Sequence, residues 1–265
     1  MYILHNMNDI FALEPNPLGI IQSRGLGDLI IALPIAHYYK TQGRSIYWPI
    51  NEDWVEQMDS VAPWVNWIPL EVDTGAYFYD TPAYLLTELG ITDHLCLYQA
   101  LTSHPEFTSE VWFQHTSFDQ YKYIRAGVPF LRKWRLAECI TRNPAREQAL
   151  YDQVIGADTR PYVFTHLTSS EHTVSFDPSI IPEGWRVVPM TNEGYVFDWL
   201  KIVEGAEAVI MTDSCMANLV DQLQLPVEKY FIPLHHIGLT PVQGCNWAWL
   251  PNPNLNPGVS IFRSS

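Results

Sequence analysis

Short apolar runs rich in β-branched and aromatic residues alternate along this chain with longer mixed stretches. PLGIIQS (17–23), SIYWPI (45–50) and VNWIPLEV (65–72) are bounded by turn residues and read as buried strands. Between them, DLIIALPIAHYYKTQG (28–43) reads as a helix that ends near Gly43, with Pro34 predicting a kink or a short first segment. NEDWVEQMDSVA (51–62) reads as a second helix, with Asn51 as its N-cap. Strand, helix, strand, helix, strand in this order implies parallel strands joined by right-handed crossovers.

The stretch from about 74 to 145 is less regular. TPAYLLTELG (81–90) predicts a helix, HLCLYQA (94–100) a strand and AREQALYDQVI (145–155) a helix, while the segment before the last mixes aromatic and basic residues. Alternation then resumes. PYVFTHLT (161–168), GWRVVPM (184–190), EAVIMTD (207–213) and KYFIPL (229–234) are predicted strands, the last of them ending the run of strands. YVFDWLKIVEGA (195–206) and DSCMANLVDQLQL (213–225) are predicted helices. The continuous apolar run at 207–213 is of the kind found in buried parallel strands. Two alternating runs predict an α/β protein of two Rossmann-like domains facing across a cleft. IGADTRP (155–161) sits at the join, giving domains of 1–157 and 158–265. The Pro/Asn-rich tail PNPNLNPGVS (251–260) reads as a loop or strap.

Composition narrows the partners. A net charge of −14, with only 15 Lys and Arg in 265 residues, argues against nucleic acid as the main partner, since tracking phosphates needs clustered cations. Arg132, Lys133, Trp134 and Arg135 are the densest basic cluster, read as a solvated helix face or as a local docking strip for an anionic acceptor. The four cysteines, Cys96, Cys139, Cys215 and Cys245, show no paired spacing and read as free thiols of a reducing compartment. No stretch reaches the length of a membrane span, and the N-terminus lacks a basic region and a cleavage site, so the expected location is the cytoplasm.

Candidate chemistry concentrates at two strand-to-helix corners, where open parallel sheets bind ligands. The first is IIQSRGLGDLI (20–30). Gly25 and Gly27 allow positive φ and close approach of a ligand to the backbone, and Arg24 lies between strand and glycines. The spacing G-x-G-D is not the dinucleotide fingerprint. Asp28 has two readings: the N-cap of the helix, or a carboxylate placed to take a proton from a hydroxyl. The second corner is VIMTDSCMANLVDQLQLP (209–226). Asp213 and Ser214 precede a helix that begins with small residues, which is either a capping turn or a seat for a diphosphate on free amides.

Together the corners resemble those of the ADP-heptose:lipopolysaccharide heptosyltransferase family. Gly27-Asp28-Leu29-Ile30-Ile31-Ala32-Leu33-Pro34 fits its G-D-(apolar)-(apolar)-x-x-x-P element, and Thr212-Asp213-Ser214 with Leu225-Pro226 fits its late corner. Cys215 and Asn218 stand where the family has glycine and histidine, and no counterpart of its mid-chain lysine is evident. The resemblance covers the corners and the alternation, not the middle third, and does not extend to heptose or lipopolysaccharide as substrates.

The resemblance implies a GT-B type glycosyltransferase, inverting and metal-independent, with no cofactor. Its N-terminal domain would take an acceptor hydroxyl and its C-terminal domain a nucleotide-sugar donor. Asp28 would be the catalytic base. Thr168, Ser169, His172, Asp213, Ser214, Cys215 and Asn218 would bind the donor, and Arg24, Gly25 and Gly27 the acceptor or diphosphate. The absence of a D-x-D triplet agrees with this. His166 and His172 flank the strand end at 161–168, where either could neutralise diphosphate charge or be a plain surface histidine. His235 and His236 are adjacent on extended chain and point apart, so no metal is expected. Two alternatives remain on the same fold, a silent nucleotide or nucleotide-sugar binder and a nucleotide-sugar epimerase.

Overall fold

The computed structural model of the protein describes residues 13–71, 79–98, 116–169, 172–234, 244 and 246–252. The chain divides into two compact units, Met1–Leu101 with Lys122–Thr141 and Thr102–Tyr121 with Arg142–Ser265.

The first unit is built on a parallel sheet of β1 (Pro17–Ile21), β2 (Ser45–Asn51), β3 (Asn66–Leu70) and β4 (His94–Cys96) in the order β3-β2-β1-β4. Its helices are α1 (Leu26–Thr41), α2 (Glu52–Val61) and α3 (Asp80–Glu88), joined by the end of α4 (Phe118–Ala126) and a 3-10 segment at Phe130–Glu138. Every residue of α1 from Leu29 to Ala36 is buried, because the helix is covered by the sheet on one side and by the 3-10 segment on the other. That explains an apolar run with no polar face. The helix runs through Pro34 as one element, with no separate first segment. It ends in a Schellman turn: Gly43 at φ +82° lets its own amide reach Lys40 O and the Arg44 amide reach Tyr39 O. The Asn51 cap is as expected, accepting from the Asp53 amide at 3.0 Å.

In the second unit β5 (Tyr162–His166), β6 (Arg186–Pro189), β7 (Ala208–Thr212), β8 (Glu228–Ile232) and β9 (Trp247–Trp249) form a parallel sheet ordered β6-β5-β7-β8-β9. The strand at 228–232 therefore does not end the run of strands as the sequence suggested. β9 does, held by Trp247 and Trp249 edge-on against Phe231. Helices α5 (Pro144–Val154), α6 (Leu200–Glu204) and α7 (Cys215–Gln222) complete the unit. α5 packs on α6 and on the 3-10 turn at Val196–Trp199. Arg142 pairs with Glu147 and Glu204, and Arg146 with the buried Asp198. These contacts place α5 with the second sheet, ahead of the join expected at 157/158.

The basic cluster does not form one face. Lys133, Leu136 and Cys139 turn inward while Arg132 and Arg135 stay outside, on either side of a kink at Trp134 and Arg135. Lys133 is 0% exposed. Neither a solvated face nor a docking strip of three cations results.

Among the described residues, no helix is long and apolar enough to cross a membrane, and Cys96, Cys139 and Cys215 are free. Cys245, His235, His236, Ser170 and residues 253–260 of the tail lie outside the described residues.

Candidate functional site

In each sheet the strand order reverses once, between β1 and β4 in the first and between β5 and β7 in the second. Chain leaving such a pair runs in opposite directions and opens a crevice beyond the carboxyl ends of the strands. Both candidate corners stand at these points, each within its own unit.

At the first corner the N-cap of α1 is Gly25, at φ +81° and ψ 104°. Asp28 is the third residue of the helix, which rules out the capping reading of the sequence. Only one of the two glycines needs its special conformation: Gly25 has positive φ, and Gly27 does not. The Asp28 carboxylate folds back over Gly25 so closely that a Cβ there would lie 2.4 Å from Oδ2. Gly25 is thus required by its φ and by the side chain resting on it.

The far side of the carboxylate meets a residue that sequence reasoning missed. Lys122 of α4 is 2% exposed, and its Nζ lies 3.2 Å from Asp28 Oδ1. It also donates to Gln22 Oε1 at 2.7 Å. Gln22 Nε2 in turn donates to Arg24 O at 3.0 Å, and Gln22 O accepts from Trp48 Nε1 at 2.9 Å. From the loop after β4, the Tyr98 hydroxyl accepts the amides of Ser23 and Arg24, both at 2.9 Å, so it ties the two strands of the crevice together. Burial pushes the Tyr98 phenol up to about 12. Burial also raises the Asp28 pKa above the usual carboxylate range, and the Lys122 ammonium pulls against that rise.

At the second corner Ser214 caps α7, its Oγ accepting the Ala217 amide at 3.2 Å. The same Oγ lies 2.9 Å from His166 Nδ1 at the end of β5. The arrangement that satisfies both groups sends the serine proton to Nδ1 and leaves Nε2 carrying the imidazole hydrogen. Asp213 turns away to accept the Leu234 amide at 3.0 Å through Oδ2. Cys215 opens the helix as a thiol that burial holds up at about 11, and Asn218, 7% exposed, follows in the first turn. Thr168, Ser169 and His172 come together with one another. They form a turn beyond β5, closed by the Thr168–Thr173 bridge and by the His172 amide on Ser169 Oγ at 3.1 Å. Among the described residues, no three His, Cys, Asp or Glu side chains come together to hold a metal.

Of the two histidines weighed from sequence, His166 is the one joined to the capping serine. Burial lowers its pKa to about 4, so it serves as a neutral hydrogen-bond donor and not as a cation. The unfolded chain, with histidine near 6.5, binds this proton more readily than the folded one. Stability is therefore complete above about pH 6.5 and falls as pH drops toward 4. Replacing His166 with glutamine removes one such group. Over that window the unfolding free energy of His166→Gln, measured by urea denaturation, is expected to fall less steeply than wild type, by about 1.4 kcal/mol per pH unit at most. Equal slopes would show that His166 titrates normally in the folded protein.

No protein-family model matches the sequence, and no curated protein matches it either. Solved structures do match in fold. The glycosyl transferase family 9 protein from Veillonella parvula DSM 2008 superimposes with a TM-score of 0.55 at 11% identity, over 91% of this chain and 87% of that one. The E. coli heptosyltransferase WaaC, solved with ADP, superimposes with a TM-score of 0.51 at 13% identity, over 89% of this chain and 93% of that one. The chain has the two-unit α/β fold of these glycosyltransferases.

Proposed function

We propose that the protein is a glycosyltransferase that moves a sugar from a nucleotide-sugar to an acceptor hydroxyl, with inversion and without a metal ion. The observation that carries this reading is the Asp28 carboxylate. It is held by a buried lysine through Oδ1, folded over a glycine with positive φ, and stationed at the point where the first sheet reverses order. A partly desolvated carboxylate is a stronger base than one in water, and the neighbouring ammonium keeps it charged.

In the proposed reaction the acceptor oxygen attacks the anomeric carbon as its proton passes to Asp28. The bond from that carbon to the diphosphate oxygen breaks, and the diphosphate leaves with the electron pair. The amides at the start of α7 would meet the growing charge. His166, held through Nδ1 by Ser214, would add a neutral N–H donor from Nε2. Asp213 would act indirectly, by fixing the turn against Leu234, and Cys215 and Asn218 would line the first turn of the seat. Thr168, Ser169 and His172 would bind the donor at the turn beyond β5, within the second unit, and Arg24 would serve the first corner, within its own. The free thiols among the described residues support a reducing, cytoplasmic setting.

The test is a thermal-shift series against nucleoside diphosphates and their sugars, with and without EDTA, with diphosphate release followed in parallel. ADP comes first, since the heptosyltransferase of similar fold was solved with it. A ligand that binds only the folded state raises the melting temperature by mass action, by about 2.7 kcal/mol of stabilisation at a hundredfold excess over Kd. The expected result is a rise with one diphosphate, unchanged by EDTA, and release of that diphosphate from its sugar when acceptors are supplied. A rise without release would identify a silent binder, conversion of the donor with no acceptor would identify an epimerase, and no rise with any diphosphate would overturn the reading.

A further inference from the structure

We propose that Lys122 is the positioning residue of Asp28, its ammonium fixing Oδ1 and keeping the carboxylate charged, with Oδ2 left as the atom that meets the acceptor. The inference rests on the reading of Asp28 as the base. Lys122 lies in the middle third of the chain, where neither the alternation of elements nor the family resemblance assigns a function.

Three observations lead to it. First, Lys122 is almost wholly buried, at 2% exposure, and a lysine leaves water at a large cost unless its charge is met. Second, its nitrogen is placed from two sides, by Gln22 Oε1 at 2.7 Å and Asp28 Oδ1 at 3.2 Å. Gln22 cannot turn its amide over without giving up the bond from Nε2 to Arg24 O, so the ammonium is held by a side chain that is itself anchored. Third, the two carboxylate oxygens have different surroundings. Oδ1 is buried, while the Asp28 side chain as a whole is 23% exposed, so Oδ2 and the carbons carry the open surface. A carboxylate gripped at one oxygen and open at the other presents one lone-pair direction to a ligand. Geometry of that kind is what a general base needs.

Among the described residues, the titratable groups that face Asp28 are Lys122 from α4 and Tyr98 from the loop after β4. Tyr98 stays neutral at working pH, so the Lys122 charge is what opposes the effect of burial on the carboxylate. An opposite charge within about 4–6 Å lowers an aspartate midpoint by roughly 1–3 units.

The experiment is a carbon-detected NMR titration of the Asp28 carboxyl in the full chain, its signal assigned by its loss in Asp28→Asn. In Lys122→Met the Asp28 midpoint is expected to rise by about one pH unit or more, and Lys122→Arg, which restores the charge, is expected to return it toward wild type. Lys122→Gln, neutral but able to hydrogen-bond Gln22, replaces Lys122→Met should the latter not fold, with the same rise expected. A midpoint that moves by less than this, with stability lost, would make Lys122 a packing residue and overturn the proposal. The titration needs no substrate. If the midpoint moves but Asp28→Asn leaves diphosphate release unchanged, the pairing stands and the transfer reading fails. If the midpoint stays and Asp28→Asn abolishes release, the transfer reading stands and the pairing fails.

Discussion

Asp28→Asn is expected to lower acceptor-dependent sugar transfer by about two to four orders of magnitude, the range that a positioned base contributes, or roughly 3–5 kcal/mol in the barrier. Asparagine keeps the size and shape of the side chain that rests on Gly25, so the turn into α1 has no steric reason to move. What it loses is the ability to accept a proton. Diphosphate binding, measured by thermal shift, is expected to stay at its wild-type level, because the α7 amides and the His166–Ser214 pair belong to the other unit. The wild-type pH profile should carry the same signature. Asp28 works only when ionised, and burial raises its pKa. Transfer is therefore expected to fall as pH is lowered, with the inflection above the ordinary aspartate range and not within it. Full transfer by Asp28→Asn would remove Asp28 from the chemistry and leave the family resemblance without its central residue.

Asp28 was legible in the sequence because its setting is local. A short apolar run, a Gly-x-Gly step and an aspartate ahead of a helix lie within a dozen residues, and their order alone marks a strand-to-helix corner. The Asn51 cap and the Ser214 corner were legible for the same reason. What surrounds Asp28 was not. Tyr98 binds the Ser23 and Arg24 amides across 75 and 74 residues of chain, and Lys122 reaches Gln22 across 100. No spacing rule operates over such distances, since the contacts are made by the packing of α4 and the loop after β4 and not by periodicity. Burial of Lys122 and Lys133 was hidden as well, because lysine in an aromatic and basic stretch reads as surface. Lys133 turns inward just ahead of the kink at Trp134 and Arg135, which no periodicity of the sequence announces. β9 escaped for a different reason. Three residues, Trp247–Trp249, are too few to show alternation, and the strand exists through its contacts with Phe231.

The same local corner gives a sharper test at Gly25. Gly25→Ala adds a single methyl, and two separate penalties follow. The backbone sits at φ +81° and ψ 104°, where a residue with a side chain is strained by about 1–3 kcal/mol. The new carbon would also lie 2.4 Å from Asp28 Oδ2, far inside contact distance. The methyl is on the backbone and cannot retreat, so the carboxylate must swing off Gly25, and its pairing with Lys122 through the other oxygen is disturbed with it. The expected outcome is a loss of transfer approaching that of Asp28→Asn, together with a lower melting temperature, at about 2–4 °C per kcal/mol for a chain of this size class. Pairing Gly25→Ala with Asp28→Ser separates the two penalties. The shorter side chain removes the collision but not the backbone strain, so Gly25→Ala should cost less stability in the Asp28→Ser background than in wild type, with no transfer in either Asp28→Ser protein. Should Gly25→Ala keep wild-type transfer, the carboxylate does not act from where it rests on Gly25, and the proton would have to be taken from another position.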